Sequence, residues 1–166
     1  MFLVSTKLIG GATLLTTDLL YKTITLSTSN IYSISKNIFN LTKDSYNFTS
    51  INQLYQLEKQ LDLLETIRLY ELWLTELLEN HKSSLDSSPS LMECMHSITN
   101  ILNEFHQILK SIDSKLEEHK YKWFYTWRTL DFTEESNLLK INKIILDNRI
   151  NILKNLLIAF QFEKKN

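Results

Sequence analysis

Leu91, Met95, Ile98, Leu102, Phe105, Leu109, Ile112, Leu116, His119 and Trp123 follow one another at steps of four and three without a slip. Steps that average half a heptad keep all of these side chains on one stripe of an α-helix. A stripe this long needs neighbouring helices lying almost along it. Ile101 and Ile108 flank the seam, so a second neighbour can pack there. The helix is expected over residues 89–120, extending toward Trp127. Two glycines and one proline among 166 residues agree with long elements and few turns, and Gly10-Gly11 alone cannot make a phosphate-binding loop.

The flanking sequence offers partners of the same kind. Ser50 with Gln53 forms a capping box, and an apolar pattern from Ile51 to Leu78 predicts a second helix over residues 51–80. The run Lys82-Ser-Ser-Leu-Asp-Ser-Ser-Pro-Ser90 reads as a loop, with Ser88 capping a helix whose first residue is Pro89. Asp131 with Glu134, or Thr133 alone, can cap a last helix ending near Phe162. That helix carries two stripes. One is Leu138, Ile141, Ile145, Ile152 and Leu156; the other is Leu139, Leu146, Ile150, Leu153, Leu157 and Phe160. Short connections make successive helices antiparallel.

Residues 1–45 are sparse in charge and rich in Ser and Thr. Apolar sets at 2–26 and at Ile31, Ile34, Ile38 and Leu41 predict two helices or one kinked one, and β-branched residues leave a strand open over 22–35. Lys7 follows Phe2-Leu3-Val4, the wrong order for a secretory signal, and Asp18 interrupts any membrane span. The expected fold class is all-α: an up-and-down antiparallel helical bundle of three long helices plus one or two N-terminal helices. It forms a single domain over 1–166, within which 1–45 can stand as a separate segment.

The 43% apolar and 22% charged fractions place the chain among globular proteins, and a net charge of −1 gives no pull toward nucleic acid. One cysteine, Cys94, excludes an intrachain disulfide and a cysteine metal site; a reducing compartment suits it. Glu93-Cys94-Met95-His96 matches Glu-x-x-His once, whereas a di-iron bundle uses two copies. No His pair has the spacing for one helical face, and no nucleophile elbow groups Ser or Cys with His. Glu117-Glu118 and Glu134-Glu135 sit on consecutive positions and diverge. No catalytic, cofactor-binding or metal-binding residue is expected, and the chain is read as a non-enzyme.

Lys120-Tyr-Lys-Trp-Phe-Tyr-Thr-Trp-Arg128 mixes basic and aromatic residues. Such a cluster plugs a bundle end or makes a protein contact rich in Trp, Tyr and Arg. Trp123, Phe124, Trp127 and Arg128 are the candidate partner contacts. The segment 119–128, with Leu138, Leu146-Asp147-Asn148-Arg149 and Leu153, resembles small helical proteins of unknown role encoded by giant DNA viruses, over residues 60–160. That resemblance implies a viral, non-enzymatic helical protein and carries no site residues with it. The expected function is protein interaction or structure, as a component of a virus particle or other large assembly, with partners that are other proteins or further copies of the chain. The alternatives are a membrane-surface module using residues 2–26 and an adaptor of host processes working by helix-in-groove contacts.

Overall fold

A computed structural model describes residues 8–9, 12–13, 16–43, 49–120 and 130–163. Six helices follow a minimal hairpin. β1 (Leu8–Ile9) pairs antiparallel with β2 (Ala12–Thr13), in the register Leu8 to Thr13 and Ile9 to Ala12. The helices are α1 (Thr17–Lys43), α2 (Thr49–Leu61), α3 (Leu63–Asn80), α4 (Lys82–Asp86), α5 (Pro89–Lys120) and α6 (Thr133–Glu163). The molecule is an all-α bundle whose long elements are α1, the α2–α3 pair, α5 and α6.

The seam of α5 is core along its described length. Leu91, Met95, Ile98, Leu102, Phe105 and Ile112 are fully buried, and Leu109, Leu116 and His119 nearly so. Ser88 accepts the Leu91 N–H at 3.4 Å and is itself buried, which fits the cap read from the Ser-Pro pair. The seam contacts α1 on one flank and α6 on the other. On the α1 flank, Ser27 donates to Asn103 and Asn37 donates to Asp113, both at 2.7 Å and both across 76 residues. An equal offset at two points means that α1 and α5 run parallel. On the α6 flank, Cys94 meets the Arg149 carbonyl while Ser111 meets Glu135, so α5 and α6 run antiparallel. Successive long helices alternate in direction, as the short connections require.

Three expectations are corrected. The apolar set at 2–26 does not form one helix: Leu8–Ile9 and Ala12–Thr13 pair as antiparallel strands. A single helix, α1, then spans residues 17–43, including the stretch 22–35 left open to a strand. Tertiary burial overrides β propensity there. Leu20, Ile24, Ile31 and Ile38 are in the core, and Thr28 and Thr42 donate to the carbonyls of Ile24 and Ile38 four residues back.

The second helix is not continuous over 51–80. Asp62 adopts a left-handed conformation (φ 45, ψ 43) and separates α2 from α3. The break moves Leu63, not Leu64, into the core. The loop at 81–90 contains α4, whose single apolar residue, Leu85, is fully buried. Lys82–Asp18 at 2.7 Å and Thr17–Asp86 tie α4 to the start of α1. Of the two stripes on α6, only the one through Leu139, Leu146, Ile150 and Leu153 is buried, as described next.

Candidate interaction surface

α6 begins where Asp131 accepts the Thr133 N–H at 2.9 Å and the Phe132 carbonyl accepts the Ser136 N–H at 2.8 Å. That hydrogen bonding to Thr133 holds the Asp131 carboxyl below the usual carboxylate range. Glu134 and Glu135 occupy the first turn, where the helix dipole favours anions. Leu139, Asn142, Leu146, Ile150 and Leu153 then follow inward at steps of three and four, all buried.

Polar contacts fix the rotation of this helix on both flanks. Toward α5, Glu135 receives Ser111 at 3.1 Å and pairs with Lys115. Burial pushes the Glu135 carboxyl up, but Lys115, its own backbone N–H and Ser111 together pull it below the usual value. Toward α3, Tyr70 donates to Asp147 at 2.7 Å, and Lys143 meets both oxygens of the same carboxylate at 2.7 and 2.9 Å. Burial and then Asp147 push the Tyr70 hydroxyl up to about 12, so it remains a donor. One turn on, the Lys154 ammonium stands 5.6 Å from the Trp73 ring centre.

With both flanks pinned, the other half of α6 faces outward. It is where the first stripe read from the sequence lies. Leu138 is 41% exposed, Ile141 52% and Ile152 43%, while Ile145 and Leu156 are half-buried. Ile144 and Ile158 widen the apolar surface toward α3. The polar residues on this half are Asn137, Asn148, Asn151 and Asn155, with Lys140 and Arg149 at its edges, all exposed. A surface helix ordinarily turns charge outward; this face of α6 is mostly Leu, Ile and Asn, with only Lys140 and Arg149 as charges at its edges. Interface cores show the same depletion of charge.

The sequence candidates distribute otherwise. Trp123, Phe124, Trp127 and Arg128 lie outside the described residues, as does most of 2–16. His119 is buried at the end of the α5 seam. Of Glu93, Cys94 and His96, only Cys94 is buried, and its thiol is pushed up chiefly by that burial. Among the described residues, no three His, Cys, Asp or Glu side chains are placed to hold a metal ion, and no helix is long and apolar enough to cross a membrane. A void of about 10 Å³ at the bundle centre, walled by Ile38, Leu57, Leu109 and Leu139, is far below the size of a ligand pocket.

The outward stripe was visible in the sequence as one of two apolar stripes on the last helix. Two such stripes ask for more neighbours than the described helices supply. Comparison with protein-family models, curated proteins and solved structures found no match for the chain.

Proposed function

We propose that this chain is a non-enzymatic helical protein that acts by binding other proteins, as a component of a larger assembly, through the outward face of α6. The observation that carries the reading is the composition of that face: exposed Leu and Ile at helical spacing, interspersed with Asn. Exposed apolar side chains gathered in one place lose free energy to water that a partner would restore, about 25 cal/mol per Å² covered. The resemblance to giant-virus helical proteins suggests a virus particle as the assembly. Trp123, Phe124, Trp127 and Arg128, a few residues ahead of α6 in sequence, are proposed as a second contact.

A bilayer is a poorer fit to the α6 face than a protein. Helices that lie on membranes border their apolar stripe with rows of Lys and Arg that meet lipid headgroups; here Asn137, Asn148, Asn151 and Asn155 share the border with Lys140 and Arg149. The test is affinity purification from the native source with the full chain and with the exposed-site variant Ile141→Glu/Ile152→Glu. The variant is expected to lose proteins that the wild type retains stoichiometrically. Identical recovery from both would overturn the reading.

A further inference from the structure

We propose that α2 and α3 are one element with two states. One is the bent form described above. The other is a continuous helix over residues 49–80, in which Asp62 has returned to the right-handed region.

The backbone gives the first argument. Asp62 is the only non-glycine residue with positive φ among the described residues. It stands in a run, 51–80, that holds neither Gly nor Pro. Its side chain makes no capping hydrogen bond to α3, so nothing local offsets the left-handed conformation. The Asp62 N–H reaches the Lys59 carbonyl at 3.3 Å, and the Asp62 carbonyl accepts the Thr66 N–H at 2.9 Å. Helical hydrogen bonding therefore resumes within a turn of the break. The dihedral change that joins the two helices is confined to about one residue, as at a hinge.

Packing gives the second. The void of about 10 Å³ lies beneath this corner: Leu57 and Leu61 of α2 and Leu63 of α3 wall it from the two sides of Asp62. Ser35 of α1 lines the same void, and its buried hydroxyl has no partner among the described residues. Cores are close-packed and their polar groups satisfied as a rule. Here a strained residue, a void and an orphan hydroxyl coincide, so the bent form is weakest where it bends.

Register gives the third. Leu54, Leu57, Leu61, Leu64 and Ile67 follow at steps of three, four, three and three, an unbroken stripe for a continuous helix. The bent form buries Leu63 instead, and leaves Leu61 and Leu64 half-buried, Leu64 outside the core cluster. The sequence thus supplies an apolar side chain for either register, the requirement for a two-state element. Leu139 of α6 also walls the void, and α2 packs on α6. Straightening therefore alters the support of α6 next to Leu138, where its outward face begins. The two states stand whether or not that face binds a partner.

Electron–electron double resonance between nitroxides at Gln56→Cys and Glu76→Cys, in a Cys94→Ala background, tests this. A straight helix separates these positions by about 30 Å along its axis, and a bend shortens that distance. The wild type should show a major short distance and a minor long one. Asp62→Ala, whose Cβ disfavours the left-handed region and whose helix propensity is high, should raise the long-to-short ratio at least about five-fold. Adding Leu64→Ala, which removes a core side chain from the straight form alone, should reverse that rise. Asp62→Gly, at ease in the left-handed region, should remove the minor distance. A wild type indistinguishable from Asp62→Gly would overturn the proposal. So would an Asp62→Ala protein with native far-UV ellipticity and only the short distance, or a rise that Leu64→Ala leaves in place.

Discussion

Ser35 illustrates how local chemistry departs from pattern. It holds a fully internal position on α1, and its hydroxyl finds no hydrogen-bond partner among the described residues. Neighbouring hydroxyls on the same helix face do better: Thr28 and Thr42 reach carbonyls one turn back, and Ser27 reaches Asn103. An unsatisfied buried hydroxyl costs about 1–3 kcal/mol. Ser35→Ala is therefore expected to stabilise the protein by about 1 kcal/mol in urea denaturation, and a loss of stability would contradict the assignment. Glu135 makes the opposite case, a buried carboxylate held by Lys115 and Ser111. Because its folded pKa lies below the ordinary 4.5, its contribution is present above that pH and is lost as pH falls through the folded value. Thermal midpoints should drop on acidification below about pH 4.5, and Glu135→Gln should flatten that drop. An unchanged acid limb in the variant would show that other carboxylates control it. Neither site was legible from sequence, because burial of a Ser or Glu depends on which neighbour closes over it.

The elements were legible in proportion to their periodicity. The seam of α5 and the extent of α6 follow from step size alone, and Ser88 and Asp131 announce their helix starts through cap chemistry. The break at Asp62 was hidden, since nothing in Gln60-Leu-Asp-Leu63 is Gly or Pro. Asp tolerates the left-handed region better than most residues but still bears a cost of about 1–2 kcal/mol there. Asp62→Gly should be neutral or more stable by up to about 1 kcal/mol, whereas Asp62→Val should lose about 1–2 kcal/mol, both read by chemical denaturation. A large loss in the glycine variant would mean that the Asp side chain, not its backbone, holds the corner. α4 was hidden for a different reason. A single apolar residue among serines carries no periodicity, yet Leu85 is fully buried. Leu85→Ala should cost about 2–4 kcal/mol if it anchors the α3–α5 corner as its burial implies.

At the scale of the molecule, what sequence could not supply was the neighbour list. Heptad spacing on α6 says that two faces want partners; it does not say that α1 lies alongside α5, parallel to it, and leaves α6 at the margin. Once α5 holds one flank of α6 and Tyr70 and Trp73 of α3 mark the other, the stripe from Leu138 to Leu156 has nothing within the described chain to cover it. The account therefore turns on whether that stripe is covered in the native setting. Site-specific photocrosslinking measures this directly, with a benzophenone side chain at position 152 on α6 and, as a control, at the exposed position 33 on α1. Crosslinked adducts from position 152 and not from position 33 are predicted. No adduct from 152, or equal adducts from both positions, would contradict it.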